Sequence, residues 1–275
     1  MDRRLYLALV VTGVVMVAAA TSDAELTITG RTTGWITCAS ALVLHDDGLL
    51  IAQDLGSNPE DVEVDGVVFQ RDPTTCDDPV NGCEDIFTNG TFTIRLRGED
   101  FPSPAFEPSL DGPGGPEDDF EEILGGLRHR YFSVDPPPEG RALEIQIVGL
   151  TGGKPYKIQL LFIEGYHDDP GDRVWDITLD DGTGEVLVFD EFDIISIRES
   201  PNNTRAVLAT VDFVSSVVGT YALDIRNPRD FNGNGGDMVR SGTMSAFVLR
   251  TTESAHIFAD GWESGDNAGW SAVVP

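Results

Sequence analysis

The sequence predicts an all-β protein, a two-sheet antiparallel jelly-roll sandwich with one short helix. Three observations carry that expectation. Roughly a dozen short segments alternate apolar and polar residues with the period of two that places successive side chains on opposite faces of a strand. Between them cluster the residues that tight turns require, in a chain of 275 residues with 30 Gly and 16 Pro. Only one stretch of the mature chain has helical spacing: Phe120, Ile123, Leu124 and Leu127 form a single apolar stripe. Many short strands with frequent turns and no internal repeat are the pattern of a sandwich.

The chain divides into 1–24, 25–252 and 253–275. Arg3 and Arg4 precede an apolar run from Leu5 to Ala20, and the small residues of Ser22-Asp23-Ala24 follow, the pattern of a secretory signal peptide cleaved after Ala20 or Ala24. A membrane anchor is the competing reading, but the run is shorter than the ~20 apolar residues a span needs. The expected mature protein is therefore secreted, extracellular or at the cell surface, with no membrane span after cleavage.

The body then reads strand by strand. Glu25 to Leu44 gives one or two opening strands broken by Gly30 and Gly34, with Cys38 in the Trp35 to Leu44 stretch. Leu49 to Leu55 is a short strand. Val62, Val64, Val67 and Phe69 flank a bulge or tight turn at Asp65-Gly66. Arg71 to Asn89 reads as a polar loop, and Phe92, Ile94 and Leu96 as a half-exposed strand. Asp100 to Pro116, rich in Pro and Gly, reads as a long loop. The helix follows, with Glu117, Asp118 and Asp119 at the positive end of its dipole and Gly125-Gly126 to stop it. Further strands are expected at His129–Val134, Ala142–Leu150, Phe192–Ile197, Arg205–Phe213, Tyr221–Ile225 and Met244–Leu249.

The stretch from Pro155 to Asp190 is the most informative. Tyr156, Ile158, Leu160 and Phe162 share one face of a strand whose other face is also apolar, so this strand is buried on both sides. An acidic loop, His167 to Asp172, leads to Arg173–Leu179, a Gly turn, and a third strand, Glu185–Asp190, read as the end of a meander. This order (Tyr-initiated strand ending in Phe-Ile-Glu, polar loop, Arg-Val-Trp-Asp-Ile, Gly turn, short strand ending in Phe-Asp) resembles the malectin and malectin-like domains, which are galactose-binding-type jelly rolls. The likeness runs over Leu143 to Leu249. It implies a carbohydrate ligand and a ligand-binding Asp before the final strand, the place Asp237 occupies. Arg173 matches a recurrent family arginine, expected to be structural and to pair with a carboxylate such as Glu164.

Composition narrows the partners. A net charge of −29, from 47 acidic and 18 basic residues, repels nucleic acid and anionic membranes. The loop Asp230-Phe231-Asn232-Gly233-Asn234-Gly235-Gly236-Asp237 puts oxygen donors at alternate positions, as a Ca²⁺ loop requires. Asp230, Asn232, Asn234 and Asp237 are the candidate ligands, although no bidentate Glu closes the set and a plain Gly/Asn hairpin loop explains the same residues. Calcium is thus the one cofactor the sequence suggests. Tyr166 and His167 of the acidic loop, or Phe231, are the groups that could contact a sugar in place of the aromatic residues the family uses. Of the three cysteines, Cys76 and Cys83 bracket a short loop and make a plausible disulfide in an exported protein, though other pairings stay open.

Motifs for a nucleophilic serine, a zinc protease, a phosphate loop or a dinucleotide site are missing from the sequence. The expected function is a non-catalytic module that binds extracellular carbohydrate or a cell-surface component. The alternative is a structural or adhesive surface protein, and a glycan hydrolase on the same scaffold comes third. The tail, Ala259-Asp260-Gly261-Trp262-Glu263-Ser264-Gly265-Asp266, resembles a short terminal motif of exported bacterial proteins, which implies a bacterial source and makes Trp262 and Trp270 candidate docking groups.

Overall fold

The computed structural model describes residues 25–42, 44, 48–56, 60–72, 84–102, 108–110, 115, 117–130, 143–163, 169–199, 204–216, 219–226 and 242–252. They form the expected all-β sandwich. One sheet has five strands, in the order β1 (Thr27–Ile36), β13 (Ala206–Val214), β10 (Pro155–Phe162), β16 (Ala246–Thr251) and β2 (Leu49–Asp54). The other has six, in the order β12 (Glu185–Asp193), β11 (Val174–Asp180), β14 (Gly219–Arg226), β9 (Leu143–Leu150), β6 (Phe92–Arg97) and β5 (Glu84–Asn89). Every pairing within these two sheets is antiparallel.

The alternation of apolar residues becomes one core between the sheets. Tyr156, Ile158, Leu160, Phe162, Val207, Val211 and Phe213 come from the first sheet. Ile94, Leu96, Ile145, Ile147, Trp175, Ile177, Leu223 and Ile225 come from the second. Phe162 packs on Trp175 and Phe192 with ring centroids 5.9 and 5.2 Å apart, within the range of favourable tilted aromatic pairs. A second, smaller core covers the outer face of the five-stranded sheet. There Ala52, Leu161, Ala246 and Val248 meet Phe120, Ile123 and Leu124 of α1 (Asp118–Gly125). The hairpin of β3 (Val62–Val64) and β4 (Val67–Phe69) adds Val62, Val64 and Phe69. This is why the central strand is apolar on both faces, and the helix stripe packs on the side of the sandwich.

At Asp65-Gly66 both residues have positive φ, 51° and 79°, the conformation of a two-residue hairpin turn. A small third sheet, β15 (Gly242–Met244), β8 (Gly126–Arg130) and β7 (Glu99–Pro102), lies beside these layers in the strand order. Gly56 approaches this sheet closely: a Cβ there would meet Gly126 Cα at 2.4 Å, so only glycine fits.

Several sequence expectations need correction. β10 and β11 belong to different sheets, so the stretch from Pro155 to Asp190 crosses the sandwich and is no meander. The segment Phe192–Ile197 is a strand only to Asp193; Ile194–Arg198 forms a short helix, α2, because Asp193 Oδ1 accepts from the N–H groups of Ile195 (3.0 Å) and Ser196 (3.1 Å) and caps it. β5 lies within the stretch read as a loop from Arg71 to Asn89, and β7 overlaps the start of the loop read from Asp100. β8 begins at Gly126 directly after the helix, and the closing strand is two strands interrupted at Ser245, whose N–H bonds to Leu161 O at 2.9 Å. Cys38 lies beyond the end of β1, is half-buried and free, and sits 3.0 Å from Ser40 Oγ.

Polar side chains close both open sides of the sandwich. Arg31 of β1 donates to Val188 O of β12 at 2.6 Å. On the far side, Asn89 Nδ2 donates to Gln53 Oε1 at 3.1 Å and Gln70 Nε2 to Thr88 O at 3.1 Å. The Arg31 and Asn89 bonds each tie one sheet's edge to the other, and Gln70, just past β4, joins the β3–β4 hairpin to β5.

Candidate functional site

Short turns fix which strand ends lie together. Residues 151–154 join β9 to β10. Ser215, just after β13, holds that turn by donating from Oγ to Thr151 O at 2.6 Å and from N to Lys154 O at 2.9 Å. The opposite end of the sandwich is where β10 finishes at Phe162, β11 begins at Val174 and β14 finishes at Arg226. Segments 164–168 and 227–241 are therefore both connected to this one end.

Tyr166 and His167 fall in the first of these segments; Asp230, Phe231, Asn232, Asn234 and Asp237 fall in the second. All seven lie outside the described residues, as do Glu164, Cys76 and Cys83. The described residues show how the chain just after the first segment is held. Asp193 Oδ2 accepts from Gly171 N at 2.9 Å while its other oxygen caps α2, and Ile194 N bonds to Arg173 O at 3.3 Å. Arg173 is buried, in keeping with a structural role.

The Arg-Val-Trp-Asp-Ile motif is also structural. Trp175 is fully buried. Asp176, one residue on, accepts from Glu191 N at 3.2 Å, where β12 bulges against β11 and Glu191 takes φ 46°. On the outer face of the six-stranded sheet, Thr178, Asp224, Glu144 and Arg97 follow one another on neighbouring strands, and Arg97 Nη1 lies 2.9 Å from Glu144 Oε1. Asp224 and Glu144 are each 1% exposed, which removes them from contact with a large ligand. Among the described residues no group of three or more His, Cys, Asp or Glu is placed to hold a metal ion.

At the turn after β11, Asp181 takes bonds from Thr183 N (2.8 Å), Thr183 Oγ1 (2.6 Å) and Ser216 Oγ. Burial works against its charge, but these bonds together outweigh burial and hold its carboxyl below the usual range.

Sequence reasoning missed one feature. Trp35, near the end of the edge strand β1, is 42% exposed although Arg205 lies over its ring with Cζ 3.9 Å from the centroid. Arg205 Nη1 also donates to Arg198 O at 3.3 Å and lies 3.9 Å from Glu199 Oε2. Glu199 ends α2 in the left-handed region, φ 55°. Trp35 pairs with Val207, which pairs on its other side with Phe162, so the indole is two strands from the point where segment 164–168 departs. A Trp beside a strand glycine was the only signal available.

No protein-family model matches the chain. No curated protein matches it either. Solved structures do. A complex of the plant peptide RALF23 with FER and LLG2 matches with a TM-score of 0.50 at 13% identity, covering 74% of this chain and 48% of that one. The ANXUR1 extracellular domain from Arabidopsis thaliana gives 0.49 at 11%, covering 75% and 49%, and the ANX2 ectodomain from the same plant gives 0.48 at 11%, covering 75% and 50%. The chain thus spans about half the length of these structures. At such identity the likeness is one of fold, and it supports a malectin-like sandwich.

Proposed function

We propose that this chain is a non-catalytic extracellular binding module of the malectin-like kind, and that it binds carbohydrate at one end of the sandwich. The observation that carries this reading is topological: β10, β11 and β14 bring both segments with the candidate contacts, 164–168 and 227–241, to the same end. Asp237 is assigned to accept hydroxyl bonds, which a charged acceptor strengthens. Phe231, Tyr166 and His167 are assigned as further sugar contacts, and Asp230, Asn232 and Asn234 together with Asp237 as the Ca²⁺ donors. Export through the apolar leader, with cleavage after Ala20 or Ala24, and a disulfide between Cys76 and Cys83 belong to the same reading.

The test is a glycan array probed with the full exported chain, with millimolar Ca²⁺ and with chelator. Binding that falls on Asp237→Ala and on chelation supports the reading; no glycan bound under either condition rejects the carbohydrate assignment.

A second reading draws on the fold neighbour whose structure holds FER with the peptide RALF23 and LLG2. On it, the same end takes an extracellular peptide or protein. Co-purification of a polypeptide with the secreted chain, lost on Asp237→Ala and not competed by glycans, would favour it.

A further inference from the structure

We propose that Trp35, backed by Arg205 and flanked by Glu199, is a stacking platform for a neutral pyranose ring at the binding end of the sandwich. This inference rests on the carbohydrate reading above and names a contact that the resemblance does not supply.

The geometry has three parts. Arg205 occupies one face of the indole at 3.9 Å, so the exposure that Trp35 retains belongs to its other face and edge. The nearest β1 residue on the same face as the indole, Thr33, is exposed and short, so no bulky side chain of that strand stands beside the ring. Glu199 and Arg205, 3.9 Å apart, set a charged acceptor and a charged donor beside the ring. An aromatic face with a carboxylate and a guanidinium at its edge matches a sugar, which has C–H groups on its faces and hydroxyls around its rim.

The surroundings argue against other occupants. Among the described residues the other exposed large apolar side chains, Val68, Ile86 and Leu187, lie on β4, β5 and β12, so Trp35 forms no contiguous apolar patch with them of the sort protein partners use. The net charge of −29 disfavours uronic or sialic acids and favours neutral sugars. The register through Val207 places the platform two strands from Phe162, about 10 Å at ordinary strand spacing, so it stands at the end of the sandwich where β10 finishes.

The experiment titrates the full chain with cellotetraose, maltotetraose, xylotetraose and mannotetraose. It compares wild type with Trp35→Ala and Trp35→Phe by calorimetry and by acrylamide quenching of tryptophan fluorescence. The expected result is that wild type binds at least one tetraose, that Trp35→Ala binds it about tenfold or more weakly, equivalent to ~1.4 kcal/mol, and that Trp35→Phe falls between. Bound sugar should also protect a quenchable tryptophan in wild type and lose that protection in Trp35→Phe, a readout that stands even if Trp35→Ala fails to fold. Equal binding by all three proteins, with no protection of Trp35, overturns the platform and leaves the carbohydrate reading intact with Asp237 as its centre. No binding of any tetraose by wild type, together with an empty glycan array, overturns both.

Discussion

Arg128 shows how much a single side chain organises here. It is fully buried, and its two terminal nitrogens bond separately to Asp72 and Asp85, with Nη2 also donating to Gly98 O at 3.1 Å. Asp72 and Asp85 lie on either side of the segment that contains Cys76 and Cys83, so the arginine holds together the two points where that segment leaves and rejoins the described chain. Arg128→Met should cost about 3–5 kcal/mol in urea unfolding, because two buried carboxylates lose their counter-charge. Arg128→Lys should not restore it, since one ammonium cannot span both acids as the guanidinium fork does. Asp181 gives a second test. Its carboxyl titrates lower in the folded chain than in the unfolded one. Its bonds therefore stabilise the fold above the unfolded value of ~3.9, and that contribution is lost as pH falls through the folded value. Ser216→Ala should then lower stability by about 1–3 kcal/mol at neutral pH, and the gap from wild type should narrow on acidification below ~4. Neither role is legible in the sequence. Arg128 lies 56 and 43 positions from its partners, and with 47 acidic residues nothing marks which two it meets.

At the scale of elements, legibility followed burial. β10, β6 and β14 were readable because each presents an apolar alternation to the core. β5 and β7 were not, since β5 carries exposed Glu84 and Ile86 among its few residues and β7 spans only Glu99–Pro102. The helical turn after β12 was hidden in an apolar run too short to separate a period of two from one of 3.6. Its only signal was Asp193, three residues before Ser196, the spacing of an N-cap contact. That aspartate joins two elements, since one oxygen caps α2 and the other holds Gly171. Asp193→Ala should cost about 1–2 kcal/mol as a lost cap. It should also speed amide exchange at Gly171, whereas Asp193→Ser should preserve the helix but not that protection, the shorter side chain being unable to serve both. Equal exchange at Gly171 in all three proteins would show that the loop is held by other contacts.

For the whole molecule, the class of fold followed from patterning, while the sheet assignment did not. Sequence-adjacent strands most often pair, and that regularity suggested a meander; here the loop from Ile163 to Arg173 carries the chain from one sheet to the other. The candidate site was legible only as residue types, Asp237 and the groups proposed with it, and those residues lie outside the described ones. The two-layer core also sets where the folding unit ends. β16 lies between β10 and β2 with Phe247 and Leu249 in the main core and Ala246 and Val248 in the second, so it cannot be removed without opening both. Its final ladder contacts are Thr251 N to Gly48 O at 2.8 Å and Thr252 N to Pro155 O at 3.0 Å. If 25–252 is the complete folding unit, deleting 253–275 should change unfolding free energy by no more than about 0.5 kcal/mol, as for surface changes that touch no core contact. Ending the chain at Met244 should abolish the cooperative transition. A fall of several kcal/mol on removing 253–275 alone would mean that Trp262 or Trp270 packs on the sandwich, and the boundary at Thr252 would have to move.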